Sequence, residues 1–424
     1  MGSTSPALSP TEAAQIVDAT LDSVSQQLRD LNHQIWSHPE AAFTEHHALD
    51  ILCTFLETQP HPFVVTRQAY GLATAFEAVS ETAPTQNDTN HDEPPTTINF
   101  NAEYDALPGI GHACGHNLIA TSSVAAFLAL SALLRHRNIR GRAQLLGTPA
   151  EENGGGKVKL LRAGAYDGVA VSLMGHGGPT SLPSDGVAGM PMTARQQLTI
   201  EFRGAETHAG ATPWEGRNAL DALVSAYNNV SLLRQQLRPE ERIHCAILET
   251  PTVANVIPAA TKACWQVRSP SRAGLRALVS RVRRCVEAGA LAAGCEAVAV
   301  EEDDGEAYTD VLLNETLCRR YQAHMKRYGR EVVVRADEVL AGSTDAGNVS
   351  YVLPTLHSFF SINAPPGCVP HHPSYTEAAG TDIAHQEAIR VGKALALLGW
   401  DMITNPELLE QARAELREGL LRAQ

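Results

Sequence analysis

The chain reads as an α/β protein: a mixed or parallel sheet covered by helices, with a smaller ferredoxin-like α+β domain inserted into it. Three observations predict this. Apolar strands and helices alternate up to about residue 174 and again from Asn314, the pattern of a parallel sheet covered on both faces. Between residues 193 and 308 the order becomes strand–helix–strand–strand–helix–strand, that of a ferredoxin-like sandwich. The length, 424 residues, also exceeds what one core ordinarily holds. The predicted boundaries are 1–192 with 308–424 for a discontinuous domain, and 193–307 for the insert.

Residues 11–30 carry an apolar helical period through Ala14, Ile16, Val17, Leu21, Val24 and Leu28, after the start signal Ser9-Pro10-Thr11-Glu12. A second helix is predicted over 45–57. Segments 71–79 and 97–102 have strand character. The stretch 80–95 between them is rich in Thr, Asn, Asp, Glu and Pro, and is read as a surface hairpin insertion in preference to a substrate lid. Segment 118–134 is apolar but contains Thr121, Ser122, Ser123 and Ser131, which suits a buried helix better than a membrane span. Strand 143–148, helix 158–163 and strand 168–174 follow. In the insert, 196–202, 243–250, 262–268 and 297–302 read as strands, and 218–237 and 272–293 as helices. The last predicted helix covers 385–398.

Composition is that of a globular chain, with 44% hydrophobic and 19% charged residues. The 33 basic residues against 47 acidic ones, a net charge of −14, argue against nucleic acid or an anionic membrane as partner. The first ten residues lack the basic and apolar regions of a secretory signal. Eight cysteines (Cys53, Cys114, Cys245, Cys264, Cys285, Cys295, Cys318, Cys368) have no paired spacing, and read as free thiols in a reducing compartment. A cytoplasmic location is the expectation.

The chemistry concentrates at His112-Ala113-Cys114-Gly115-His116-Asn117, between an apolar strand and an apolar helix. A thiol and an imidazole two residues apart suit a borderline-soft divalent ion, which holds the thiolate at neutral pH. His112 reads as a packing residue. Glu151-Glu152 follows the next strand and precedes a glycine run. Two adjacent carboxylates there can divide the work, Glu152 as ligand and Glu151 as general base and acid toward a metal-activated water. His176 after a third strand, and His371 or His372 in a later loop, supply what a two-metal site still needs. Asp105, Cys114, Glu151, Glu152 and His176 all fall at or just past predicted strand ends, where ligands of such sheets bind. In the insert, His208 and Asn255 could stabilise an oxyanion, and Arg268 could pair with a carboxylate or simply be solvated. Asp345 and Asn348 lie in a Gly-bracketed polar loop that could wall a substrate pocket. Together these predict a metal-dependent hydrolase.

At these motifs the sequence resembles the di-metal aminoacylase/carboxypeptidase family, peptidase family M20. The match is to the branch that holds the β-alanyl-lysine dipeptidase-like proteins and one of the aminobenzoyl-glutamate hydrolase chains. It runs from Trp36-Ser37-His38-Pro39-Glu40 to Thr376-Glu377-Ala378-Ala379-Gly380, through Glu103-Tyr104-Asp105-Ala106-Leu107-Pro108, Pro149-Ala150-Glu151-Glu152 and Pro213-Trp214-Glu215-Gly216. The resemblance implies two divalent ions per chain held by Cys114, His116, Glu152, His176 and His371. Zinc is favoured by the donor set, with manganese, cobalt or nickel possible. It implies Glu151 as acid/base, Asp105 orienting a ligand, and Asn255 and Arg268 meeting the substrate. His208 would complete the site of a partner in a homodimer formed through the insert. Two departures stand out: Met174-Gly175-His176-Gly177-Gly178 lacks the usual proline after the histidine, and Asn153 stands where glycine is usual. The expected activity is hydrolysis of the amide bond of an N-acyl amino acid or unusual dipeptide. The same site run in reverse would form amides, and a non-catalytic scaffold is the alternative outside enzymes.

Overall fold

The computed structural model describes residues 8–61, 63–82, 94–300 and 307–423. Residues 83–93, the bulk of the stretch read as insertion or lid, lie outside the described residues. The chain forms two compact units: Met1–Pro191 with Val311–Glu338 and Asn348–Arg422, and chiefly Met192–Asp310 with Val339–Gly347.

The first unit is built on an eight-stranded mixed sheet. From edge to edge its strands are Val64–Arg67, Phe76–Thr82, Gly141–Gly147, Thr97–Ala102, Val169–Gly178, Thr355–Ser361, Gly186–Gly189 and Val333–Arg335. The four central ones, Gly141–Gly147 to Thr355–Ser361, are mutually parallel, whereas Phe76–Thr82 and Gly186–Gly189 join them antiparallel. All residues of Thr97–Ala102 and Thr355–Ser361 are buried, as strands covered on both faces require.

Helix His116–Arg137 is long and apolar enough to cross a membrane, but it is almost wholly buried within this unit. It packs against Asp382–Thr404, and a Cβ at Gly392 would stand only 2.7 Å from the Ala125 methyl. The predicted single helix over 11–30 is two helices, Pro10–Ser23 and Ser25–Ser37. The Ser23 hydroxyl donates to the Thr20 carbonyl, which a continuous helix would offer to the Val24 amide. The first of these helices does begin in the capping box of Ser9 and Glu12. Strand Val64–Arg67 went unpredicted because it is a four-residue edge strand with little apolar content facing the core.

The second unit is a four-stranded antiparallel sheet in the order Glu296–Ala299, Ala194–Arg203, Ala260–Ser269, Arg242–Glu249. With helices Ala219–Leu233 and Arg272–Ala292 it has the ferredoxin-like chain order, around a core that includes Phe202, Trp265, Leu223 and Val282. The assignment of all of 308–424 to the first domain needs correcting at Val339–Gly347. Thr193 Oγ1 donates to the Gly342 carbonyl (2.9 Å) and Arg268 Nη1 to the Ala341 carbonyl (3.1 Å), so this segment folds with the insert.

Candidate metal centre and active site

Five segments of the first unit bring their side chains together. Gly115, at φ +78°, adopts the left-handed conformation that turns the chain between Cys114 and the helix starting at His116. That turn sets the thiol and the imidazole on one cluster. His116 Nδ1 donates to Asp105 Oδ1 (2.9 Å), which fixes the tautomer and leaves Nε2 without a hydrogen-bond partner. The other Asp105 oxygen, Oδ2, accepts from the Glu152 amide (2.9 Å). One buried carboxylate therefore orients both a ring and a loop.

That loop is unusually constrained. Ala150 has φ +61°, a conformation that costs a residue with a Cβ, and its amide donates to Glu45 Oε1 (2.9 Å). A Cβ at Gly156 would lie 1.8 Å from the Pro149 carbonyl oxygen, so only glycine lets the chain fold back beneath the two carboxylates. His176 Nδ1 donates to the Gly177 carbonyl (2.6 Å), leaving Nε2 3.5 Å from Cys114 Sγ. It lies within strand Val169–Gly178 and not past its end as expected, because the ladder with Thr355–Ser361 continues to Gly178.

His371 reaches the cluster from the far end of the chain. Its amide donates to the Ala113 carbonyl (2.8 Å), its φ is +66°, and its Nε2 lies 3.4 Å from Glu152 Oε1. His372 instead accepts from the Ser374 amide and caps helix Pro373–Ala379. His112 is also turned away, onto the Ile35 carbonyl (3.1 Å). Glu151 Oε2 stands 3.8 Å from His116 Nε2.

Three overlapping groups of ligand atoms result, each within 4.8 Å of one another: Cys114, His116 and His176; Cys114, Glu152 and His371; and Glu103, His116 and Glu151. Burial alone would raise the Asp105 carboxyl, but the charge and hydrogen bond of His116 hold it below the ordinary range. Burial and then the Glu152 charge push the Cys114 thiol well up. Burial pulls the imidazolium of His176 down, and that of His112 to about 4.

Sequence reasoning passed over Glu45, Glu103, Lys157 and His357, all buried in this unit. None sits in a motif with a metal-ligand spacing, and Lys157 meets Glu103 across 54 positions. Burial, with the charge of Asp105, raises the Glu45 carboxyl to about 7. The folded chain thus keeps a proton that the unfolded chain releases at ordinary carboxylate pH. The stability this supplies is full below the unfolded value and is lost as pH rises through about 7. In chelator-treated protein, Glu45→Gln should therefore gain on the parent chain between pH 5 and pH 8, by on the order of 3 kcal/mol at most. Denaturant melts of both chains at the two pH values check this, and a constant difference would contradict it.

In the second unit, His208 and Asn255 are neighbours. Val256 pairs with His208, and the Ala209 amide donates to the Asn255 carbonyl (3.0 Å). The amides of Gly210 and Ala211 both donate to His208 Nδ1 (3.1 Å each), which leaves a neutral ring's proton on the exposed Nε2. Arg268 is half-buried, and Nη1 and Nη2 donate to Ser343 Oγ (2.9 Å) and Gln266 Oε1 (3.1 Å). Asp345 is buried in this unit, whereas Asn348 is half-buried in the first.

Residues 88–389 match the model of peptidase family M20/M25/M40. The chain belongs to that family. An M20 chain hydrolyses amide bonds with the help of metal, the chemistry for which this cluster is equipped. The mouse Xaa-Arg dipeptidase is 40% identical to it, over 94% of this chain and 90% of that protein. One of the p-aminobenzoyl-glutamate hydrolase chains of Escherichia coli (strain K12) is 26% identical over 95% of each. Among solved structures, a dinuclear metal-binding M20 peptidase of Bacillus subtilis superposes with a TM-score of 0.64 at 21% identity, over 90% of this chain and 99% of that one. This M20 chain thus shares its fold with that enzyme along almost its whole length.

Proposed function

We propose that the chain is a di-metal dipeptidase or N-acyl amino acid hydrolase, with Cys114, His116, Glu152, His176 and His371 holding two divalent cations, zinc favoured. One observation carries this reading. Ligand atoms from segments up to 257 residues apart converge, and the two buried histidines have their Nδ1 positions occupied so that each Nε2 is left to ligate. Charge points the same way. Among the described residues, Glu103, Asp105, Glu151, Glu152 and a Cys114 thiolate stand against the ammonium of Lys157, leaving four negative charges for two divalent cations to match.

Bound divalent cations polarise an amide carbonyl and activate water at neutral pH. Glu151 takes the proton from the attacking water at a carboxylate oxygen and delivers it to the departing amine nitrogen. Asp105 keeps His116 and the Glu152 loop in place. The exposed Nε2 proton of His208 is a donor for the carbonyl oxygen as it becomes negative, supplied to the site of a second copy in a homodimer. Strand Arg242–Glu249 supports that assembly: it ends its sheet, and Ile247, Leu248, Val224 and Tyr227 of the same unit are exposed. Asn255 and Arg268 are assigned to the substrate's carbonyl and carboxylate, and Asp345 and Asn348 to contacts with the substrate. Eight free cysteines fit a cytoplasmic, reducing setting.

The name of the mouse relative makes dipeptides ending in arginine the first substrates to try. The metal-loaded chain should release free arginine from an Xaa-Arg panel faster than it cleaves N-acyl amino acids or p-aminobenzoyl-glutamate, measured by amine release. No hydrolysis of any of the three classes would contradict the reading.

A further inference from the structure

Glu103 stands at the metal cluster, where its charge has been counted but no ligating role assigned. It follows strand Thr97–Ala102, its side chain is completely buried, and Oε1 accepts from the equally buried ammonium of Lys157. Oε2 accepts no hydrogen bond. It lies 3.5 Å from His116 Nε2, itself without a hydrogen-bond partner. A buried carboxylate oxygen left without a donor carries an uncompensated desolvation cost, which a bound cation would remove. Lys157 occupies one oxygen and thereby holds the other toward the His116 ring.

We propose that Glu103 is a further metal ligand, its Oε2 joining His116 Nε2 in holding a cation at this cluster. This rests on the metal-bound reading given above. The Glu103 oxygen and His116 Nε2 lie within 4.8 Å of each other, so a cation held by His116 is within its reach, and borderline-soft divalent ions accept a carboxylate beside imidazole and thiolate. Lys157 acts as a positioning residue, setting the Glu103 rotamer and cancelling part of the charge that four clustered carboxylates would otherwise concentrate.

A purely structural Glu103–Lys157 pair is the competing account, and the two differ in what each partner's removal does. Cobalt(II) is titrated into the full-length chain, with affinity read by chelator competition and coordination by visible absorption. The variants are Lys157→Gln, which keeps a donor for Glu103, and Glu103→Gln combined with Lys157→Gln, which leaves no buried charge unpaired. Lys157→Gln should bind two equivalents with an affinity and spectrum close to the parent's. The double variant should lose at least about tenfold in affinity at one position and change the cobalt spectrum. A double variant with the parent's two equivalents, affinity and spectrum would overturn the assignment, as would equal losses in both variants, which mark a structural pair. A parent chain that takes up no cobalt would instead sink the metal reading itself, and this ligand with it.

Discussion

A Glu151→Gln chain is expected to fold, bind metal as the parent does, and lose about 10²–10⁴-fold in kcat. The Glu151 side chain is nearly buried, with Oε2 3.8 Å from His116 Nε2, beside the ligand cluster without belonging to either group that contains Cys114. Gln keeps the shape but loses the charge, and with it the ability to take and return a proton. The loop that carries it is held by backbone contacts, Ala150 to Glu45 and Glu152 to Asp105, which do not involve the Glu151 carboxylate. KM should change far less than kcat, because proton transfer matters in the transition state and little in the bound substrate. Steady-state rates together with metal analysis on one preparation decide it. Retained turnover would remove Glu151 from the reaction.

Metal removal should have the second large effect. Without cations, Glu103, Asp105, Glu151 and Glu152 crowd around His116, with the buried ammonium of Lys157 to offset them. Exhaustive chelation should abolish hydrolysis and lower Tm. Adding back zinc or manganese at about a thousand times its Kd should restore about 4 kcal/mol per site. The thiol of Cys114, pushed up by burial and by Glu152, is the group a returning cation must deprotonate, so recovery should be slower and weaker as pH falls. Scanning calorimetry with and without chelator tests this. An unchanged Tm and unchanged activity after chelation would contradict it.

Much of the site was legible in the chain because its donors sit in short motifs at strand ends. Cys114 and His116 are two residues apart, and Glu151 and Glu152 are adjacent, so local spacing suffices to relate them. The insert was legible for a similar reason: its strands alternate cleanly, with one face of Ala260–Ser269 buried and the other half-exposed. What escaped depends on contacts that no spacing encodes. Glu45 reaches Ala150 across 105 positions and Lys157 reaches Glu103 across 54. The segment Val339–Gly347 joins the insert through hydrogen bonds to Thr193 and Arg268, and nothing in its own composition marks that allegiance. The break at Val24 (φ −120°), beside the Ser23 hydroxyl that donates to the Thr20 carbonyl, lies inside an otherwise continuous apolar period. Local spacing leaves His371 and His372 open and the resemblance points to His371; in the fold the His371 amide meets Ala113 while His372 caps a helix.

The central claim is that five side chains from four separate segments form one two-cation site. Anomalous diffraction from zinc-loaded crystals, recorded on both sides of the zinc edge, tests it most directly. Two peaks are predicted, one among Cys114, His116 and His176 and the other among Cys114, Glu152 and His371. Zinc bound only elsewhere, or a cluster empty of zinc in crystals of fully loaded protein, would contradict it.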